Sequence, residues 1–368
     1  MKSLVLMPPL RYTSESAAAL GVLYSLYEYG SEIHYVMTEK VYDNYFTTFP
    51  EKIVKPFLKS KEEKIKLIRG PLYSPFLDLI RIKNYTKKNH IDRVFNMYYV
   101  EYPIGMDVSY VVYPHSIIGY FKDFKLTYSR VKYPYLYTSR LLTKRIARSK
   151  NLLCSSNYIK NLMKNIGFDC DVVYPPVIPP ENYETREKQN IVVGIGKFIP
   201  SKHWEEFIEI AKKVRQKNPT IKFKIIGGLN MIMYPSNEYY EKLVKLAGND
   251  VELLTDVNEE EKWRALSSAK IILHCMREDN FGLGVAEAMY AGAVPIVYKS
   301  SGTWEDTIQE GKYGIGYKTI EEAKEEIIKI IEDEKTYKEY SEKAKQRATK
   351  FVIDEFKSKI IGIMDRFN

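Results

Sequence analysis

Two carboxylates stand eight residues apart within residues 270–308, one on each side of a glycine-containing turn. Asp279 precedes the stretch Phe281-Gly282-Leu283, and Glu287 follows it. An apolar run comes before the turn and small residues come after it, a pattern that predicts a strand, a tight loop and a helix. Glycines in such a loop let the backbone approach a ligand, and the first turn of a helix offers free N–H groups. The two carboxylates could therefore bind different hydroxyls of one polyol ligand.

The elements that must position this segment alternate between strand and helix along the whole chain. Short apolar runs separated by amphipathic stretches predict successive strand–helix–strand units with parallel sheets. Residues 174–180 interrupt this alternation with four prolines, which exclude a helix or a strand interior. We predict an N-terminal acceptor-binding domain over residues 1–180 and a C-terminal nucleotide-sugar-binding domain over 181–345. The last helix, within 346–368, is expected to pack back towards the N-terminal domain.

The segment around Asp279 resembles a motif of the retaining glycosyltransferases of family 4, in which an acid is followed by seven residues and a glutamate. The family usually reads Glu-Gly-Phe-Gly-Leu, so Asp279 replaces its first Glu, and the acidic Glu278 stands beside it. Downstream, a Gly-x-Pro strand and a Ser-Gly turn are also similar, but Thr303 stands where the family has a second glycine. Within the family, the segment is most similar to the α-1,2-mannosyltransferases of lipid-linked oligosaccharide assembly.

A second block, GIGKFIPSKHW, resembles the Gly-Arg…Lys-Gly block that opens the second domain of family 4. Lys197 takes the position of the Arg and Lys202 that of the Lys. The resemblance implies the GT-B fold, with two Rossmann-like α/β domains whose parallel sheets face a central cleft. In such sheets ligands bind at the carboxyl ends of the strands.

The resemblance also implies an activity, namely retaining, metal-independent transfer of a hexose, mannose or glucose, from a GDP- or UDP-sugar. The acceptor would be a glycan or a polyprenyl-phosphate-linked glycan, and no cofactor beyond the donor substrate is expected. In relatives a histidine of the first domain often assists the reaction, and His115, after the strand SYVVYP, is the candidate for a catalytic role.

The remaining roles follow from the same resemblance. Asp279 would bind hydroxyls of the transferred sugar, and Glu287 would bind the ribose of the nucleotide. Backbone amides from Phe281 to Leu283 would contact the sugar and the phosphate. Lys197 and Lys202 would stabilise the departing diphosphate, where negative charge develops.

The net charge of +9 arises entirely in the first half, because residues 1–180 hold 26 Lys and Arg against 15 Asp and Glu. Residues 120–150 contain nine basic residues and a single acid, Asp123, interleaved with aromatic side chains. This segment is interpreted either as a contact with an anionic membrane surface or as a solvated basic face. No recognised nucleic-acid-binding fold accompanies it, so nucleic acid is not an expected partner. We expect a cytoplasmic protein that contacts the membrane peripherally if the first interpretation holds.

The three cysteines, Cys154, Cys170 and Cys275, are widely spaced and form no CxxC pair. This spacing predicts reduced, buried thiols and neither a disulfide framework nor a zinc site. Near the N-terminus, Thr13 to Ser16 lie at the start of the first predicted helix, where they could serve as a plain N-cap or as a phosphate site.

Two other functions remain open at this stage. A GT-B epimerase would act on the nucleotide sugar without an acceptor, but the additional acids and histidines expected of such enzymes are not evident. A non-catalytic membrane or nucleic-acid binding protein on a transferase fold is the other alternative, since Asp279 and Thr303 depart from the family pattern.

Overall fold

The computed structural model describes residues 1–8, 10, 13–37, 49–63, 75–97, 106–113, 150–165, 167–229 and 236–367. His115 and all but the last residue of the basic segment 120–150 lie outside this part of the chain.

The chain divides into two compact units. The first contains Met1–Thr47, Glu51–Pro176 and Ile353–Asn368, and the second contains Thr48–Pro50 and Val177–Val352. The division thus falls within the proline-rich segment, and the last helix belongs to the first unit.

The first unit is built on a parallel sheet with the strand order β3-β2-β1-β4-β5-β6-β7. Its strands are β1 (Lys2–Met7), β2 (Glu32–Met37), β3 (Lys61–Glu62), β4 (Arg93–Asn96), β5 (Val108–Val111), β6 (Asn151–Cys154) and β7 (Asp171–Val172). The central strand β1 is apolar and fully buried from Leu4 to Met7. Such continuous apolar runs are typical of parallel strands that are covered on both faces.

The helices of this unit are α1 (Ser14–Glu28), α2 (Glu51–Lys59), α3 (Pro75–Lys88), α4 (Asn157–Asn165) and the C-terminal helix (Ile353–Asp365). The C-terminal helix packs against α1, and the absence of a side chain at Gly21 makes room for it. A Cβ at Gly21 would lie 2.8 Å from the ring of Phe356. At the start of α1, the hydroxyl of Thr13 accepts the amide of Ser16, as an N-cap does.

The prediction of three reduced thiols is wrong for two of them, because Cys154 and Cys170 form a disulfide bond. Cys154 ends β6, and Cys170 directly precedes β7, the strand that pairs with β6. The chain returns through α4 and places the two Cα atoms 6.0 Å apart. The two cysteines are 16 residues apart, and no local pattern predicts that they pair. Their pairing depends on strands β6 and β7 being neighbours. Cys275 is a buried free thiol.

The second unit repeats the architecture with a parallel sheet of order β10-β9-β8-β11-β12-β13. Its strands are β8 (Gln189–Ile195), β9 (Lys222–Gly227), β10 (Glu252–Thr255), β11 (Ala269–His274), β12 (Val294–Tyr298) and β13 (Ile315–Tyr317). Its helices are α5 (Trp204–Lys217), α6 (Ser236–Ala247), α7 (Glu259–Ser268), α8 (Leu283–Tyr290), α9 (Ile320–Glu332) and α10 (Glu334–Ala348). One face of α5 is apolar and buried, and it consists of Trp204, Phe207, Ile208, Ala211 and Val214.

The prediction of two Rossmann-like α/β units with parallel sheets is confirmed. None of the helices in the described part of the chain combines the length and apolarity needed to cross a bilayer.

Candidate active site

The second sheet reverses its strand order between β8 and β11. Strand β9 lies on one side of β8, and β11 lies on the other. The loops that leave the carboxyl ends of β8 and β11 therefore diverge, and ligands of such folds bind in the crevice between them. Lys197 and Lys202 follow β8, and Asp279 follows β11, so the sheet brings two distant sequence blocks to this one point.

The carboxylate of Asp279 organises the loop that follows β11. Its Oδ1 accepts the amides of Phe281 at 3.4 Å and Gly282 at 3.1 Å. Its Oδ2 lies 3.4 Å from the ammonium of Lys202 and 2.9 Å from Nε2 of His274. The His274 contact lacks the alignment of a hydrogen bond. Oδ1 is thus held by two backbone amides, and Oδ2 lies beside two side-chain nitrogens.

Asp279 is ionised. Burial alone favours its neutral form, but the charge of Lys202 and the contact with His274 outweigh burial and hold the pKa of Asp279 far below its ordinary value. Burial lowers the pKa of His274, although the neighbouring Asp279 opposes that effect. An ionised carboxylate accepts hydrogen bonds and does not donate them, so Asp279 suits recognition of hydroxyl groups and not proton donation.

The neighbouring acid, Glu278, is exposed, whereas the side chain of Asp279 is only 15% exposed. The backbone of Asp279 fixes this orientation. Its amide donates to Oγ of Ser301 at 2.9 Å, and its carbonyl accepts the amide of Gly302 at 2.9 Å. The loop after β11 is thus tied to the turn after β12.

Two glycines make this tight packing possible. Gly282 has φ +81°, and a Cβ there would lie 2.5 Å from Oγ1 of Thr303. A Cβ on Gly302 would lie 1.9 Å from the carbonyl oxygen of Asn280. The turn therefore remains tight although Thr303 replaces the glycine that the family has there. The Thr303 hydroxyl itself is buried and has no hydrogen-bond partner among the described residues.

Helix α8 begins at Leu283, directly after Gly282. The amides of Phe281 and Gly282 already donate to Asp279, so the expectation that they contact a sugar or phosphate does not fit this arrangement. The amides of Leu283 and Gly284 open the first turn and have no acceptor within the described residues. The N-terminus of α8 therefore presents two donors and the positive end of its dipole.

The two predicted lysines lie in the loop between β8 and α5. Lys202 ends a short 3₁₀ turn, Pro200–Lys202, and its side chain is 18% exposed. Lys197 is half-buried, and its carbonyl accepts Nε1 of the buried Trp204 at 2.8 Å. This hydrogen bond anchors the backbone of the loop to α5.

Glu287 lies in the second turn of α8 and is 8% exposed. Its Oε1 accepts a hydrogen bond of 2.9 Å from Lys262 on α7. Lys262 also lies 2.7 Å from Glu259, one helical turn earlier on α7. Burial raises the pKa of Glu287, Lys262 opposes this effect, and the charge of Glu259 adds to it.

His274 and Lys262 lie at this site but were not predicted from the sequence to belong to it. His274 stands at the end of an otherwise apolar strand, a position at which a polar residue could have been noticed. Lys262 ends the charged run EEEK, and nothing in the local sequence distinguishes it from a solvent-exposed lysine. No group of three or more His, Cys, Asp or Glu side chains within the described ranges is arranged to hold a metal ion.

The part of the chain that contains this site is similar to known proteins. Residues 180–347 match the sequence profile of the family described as "Glycosyl transferases group 1". The solved structure of WaaG, a glycosyltransferase involved in lipopolysaccharide biosynthesis, superposes with a TM-score of 0.70 at 14% identity and covers 98% of each chain. The chain has the GT-B fold, and residues 180–347 are similar to group 1 glycosyltransferases, as the resemblance of the motifs predicted.

Two curated relatives are similar to about half of this chain. The "GDP-Man:Man(3)GlcNAc(2)-PP-Dol alpha-1,2-mannosyltransferase" of Dictyostelium discoideum is 25% identical over 226 residues, which cover 56% of this chain and 44% of that protein. The trehalose synthase of Pyrococcus horikoshii is 27% identical over 191 residues, which cover 50% and 46% of the two chains. The chain thus spans less than half the length of the curated relatives it matches.

Proposed function

We propose that this protein transfers a hexose, mannose or glucose, from a nucleotide sugar to an acceptor hydroxyl with retention of the anomeric configuration. The observation that carries the proposal is the arrangement at the carboxyl ends of β8 and β11. There, an ionised Asp279, the ammonium of Lys202 and the open first turn of α8 converge.

Asp279 is the group proposed to recognise the transferred sugar. Its Oδ2 accepts from Lys202 at 3.4 Å, which is longer than the roughly 2.7–2.9 Å of a strong charge-assisted hydrogen bond. A sugar hydroxyl can replace so weak a contact at Oδ2 without disturbing the two backbone amides that hold Oδ1. Because Oδ1 stays bound to the loop, the carboxylate keeps its orientation when the sugar binds.

The leaving diphosphate is the part of the donor on which negative charge develops. Lys202, once displaced from Asp279, would turn towards this charge, and Lys197 would add a second cation from the same loop. The amides of Leu283 and Gly284 and the dipole of α8 supply fixed donors that need no reorganisation during the reaction. Glu287, eight residues after Asp279, is proposed to accept hydrogen bonds from the ribose.

The names of the relatives support a choice of donor and acceptor for the proposal. A GDP-sugar and a lipid-linked glycan are proposed first, because the Dictyostelium relative is named for GDP-mannose and a PP-Dol-linked acceptor. Glucosyl transfer from a UDP-sugar is the alternative proposal. A catalytic role of His115 and membrane contact through residues 120–150 stay part of the proposal.

The test is to incubate the protein with GDP-mannose, UDP-glucose and UDP-GlcNAc and to follow nucleotide release and sugar transfer. Turnover of at least one donor is expected, with an α-linked product from an α-linked donor. Asp279→Asn should lower turnover by about 10²-fold or more, since it removes the charge that fixes the site. The neighbouring exposed acid provides the matched control, and Glu278→Gln should retain full activity. Failure to bind or turn over any nucleotide sugar would overturn the proposal.

A further inference from the structure

A buried ion cluster joins α7 to α8 behind the proposed ribose site. It consists of Glu259, Lys262 and Glu287, whose side chains are 6%, 12% and 11% exposed. The ammonium of Lys262 lies 2.7 Å from Oε2 of Glu259 and 2.9 Å from Oε1 of Glu287. Two carboxylates thus share one cation.

Glu259 has other means of stabilisation. It is the first residue of α7, where the helix dipole favours a negative charge. Its carboxylate also accepts Nε1 of Trp263 at 3.2 Å. The Asn258–Glu261 capping box fixes the same end of the helix. Glu259 therefore serves as a firm anchor for Lys262 on the side of α7.

Glu287 has fewer stabilising contacts than Glu259. Among the described residues, Lys262 is the only oppositely charged partner of Glu287, and it contacts only one of the two carboxylate oxygens of Glu287. No hydrogen bond to Oε2 is present within the described part of the chain. Burial of charges that merely hold two helices together is rarely favourable, because desolvation offsets the attraction. A buried carboxylate with one oxygen fixed and the other unused is, in contrast, suited to bind a ligand.

We propose that Lys262 is a positioning residue, which fixes Glu287 through Oε1 so that Oε2 is presented to the ribose hydroxyls of the nucleotide. This role rests on the proposed function, because it assumes that Glu287 binds a ribose. Lys262 contacts no substrate itself. The charge of Lys262 favours the carboxylate form of Glu287, which accepts hydrogen bonds from two hydroxyls, whereas a protonated Glu287 would offer fewer acceptor positions.

The ionic state of Glu287 depends on few groups. Among the described residues, the charges that act on it are Lys262 and Glu259, both on α7. Burial and Glu259 favour the neutral form of Glu287, and Lys262 favours the carboxylate. Without Lys262, Glu287 would therefore take up a proton at a higher pH, and nucleotide binding would come to depend on pH.

The experiment measures the affinity of the whole chain for GDP, UDP and their 2′,3′-dideoxy counterparts by calorimetry from about pH 6 to 9. Lys262→Met should weaken binding of the preferred ribonucleotide about 10-fold or more, the loss expected for a charge-assisted hydrogen bond. The dideoxy nucleotide should bind both proteins equally, because it lacks the hydroxyls that Glu287 would bind. The affinity of the variant should recover towards high pH, and Lys262→Arg should retain most of the wild-type affinity.

Lys262→Met leaves two buried carboxylates without a cation, and this change could prevent the variant from folding. A second variant is therefore needed. The double variant Lys262→Met with Glu259→Gln removes one of these charges and should show the same selective loss of ribonucleotide affinity. Equal losses for ribo- and dideoxynucleotides, or no loss at all, would overturn the role of Lys262 alone. If the wild-type protein binds neither GDP nor UDP, the proposed function fails and the role of Lys262 fails with it.

Discussion

The ammonium of Lys202 lies 3.4 Å from Oδ2 of Asp279, although 77 positions separate the two residues in the chain. Lys202 follows β8 and Asp279 follows β11, and these strands are neighbours in the sheet. The contact joins the two sequence blocks whose resemblance to glycosyltransferases is most specific. It also lowers the pKa of Asp279 and thereby helps to keep this carboxylate ionised.

Replacement of Lys202 by Met should therefore impair catalysis more than stability. Loss of one group that stabilises the departing charge typically costs about 10²–10³ in kcat. Steady-state kinetics with the active donor measure the effect. Lys213→Met is the control, because Lys213 forms a surface ion pair with Glu321 and such pairs contribute about 0–1 kcal/mol. An unchanged kcat in Lys202→Met would contradict the assignment of Lys202 to the diphosphate.

His274 should make the stability of the protein sensitive to mild acid. Burial lowers its pKa in the folded state below the ordinary value of about 6.5 that applies to the unfolded chain. Between these two values the unfolded state binds a proton that the folded state does not, so stability is full above about pH 6.5 and is lost as the pH falls. Asp279 has a lowered pKa, and its own contribution is lost only below about pH 4.

Denaturant unfolding at several pH values between about 5 and 8 measures this dependence. The free energy of unfolding of the wild-type protein should fall towards the acidic end of this range, and the slope should be smaller in His274→Gln. Identical slopes for the two proteins would show that His274 does not change its proton affinity on folding.

Gly282→Ala should destabilise the protein through two separate effects. A left-handed φ costs an alanine about 1–2 kcal/mol, and contact of its Cβ with Thr303 adds an overpacking cost of about 1–3 kcal/mol. Adding Thr303→Gly should relieve the second effect and leave the first. Gly248→Ala is the matched control, because Gly248 has φ +52° but no atom within 4 Å of the position that a Cβ would occupy. A double-mutant cycle from urea unfolding should therefore give a clear coupling between Gly282 and Thr303, and additive losses would contradict their contact.

The disulfide between Cys154 and Cys170 should be detectable and stabilising. Under denaturing, non-reducing conditions one thiol, that of Cys275, should react with Ellman's reagent. Cys170→Ser should lower the free energy of unfolding by about 2–4 kcal/mol, because the bond closes a short loop in the unfolded chain. Three reactive thiols in the denatured, unreduced protein would show that the bond does not form.

Several elements could be read from local sequence patterns. The apolar runs that became β1, β8 and β11 are continuous, as buried parallel strands require. Strand β13 and helix α2 have weak local signals, because β13 has three residues and α2 carries Pro56 in its interior. Their placement depends on packing against neighbouring elements, which overrides weak local preference.

Some features of the candidate site could likewise be predicted from the sequence, and others could not. The order and spacing of Asp279 and Glu287 were visible in the sequence, as were the lysines after β8. The hydrogen-bond and ion-pair partners of these residues were not visible, and neither was the exposure of Glu278 beside a mostly buried Asp279. The orientation of Asp279 follows from its backbone hydrogen bonds to the turn at Ser301, a segment that belongs to another strand end.

By itself, the sequence determined the alternation of strands and helices, the proline-rich boundary and the residues that lead into α8. These features depend on periodicity and on residues close together in the chain. Only the tertiary structure decided that Lys202 meets Asp279, that Lys262 holds Glu287 and that Cys154 bonds to Cys170. Each of these pairs joins segments that lie apart in the chain, so its distance depends on the order of strands in a sheet or on the packing of helices. Neither the strand order nor the helix packing can be predicted from the local sequence around any one of these residues.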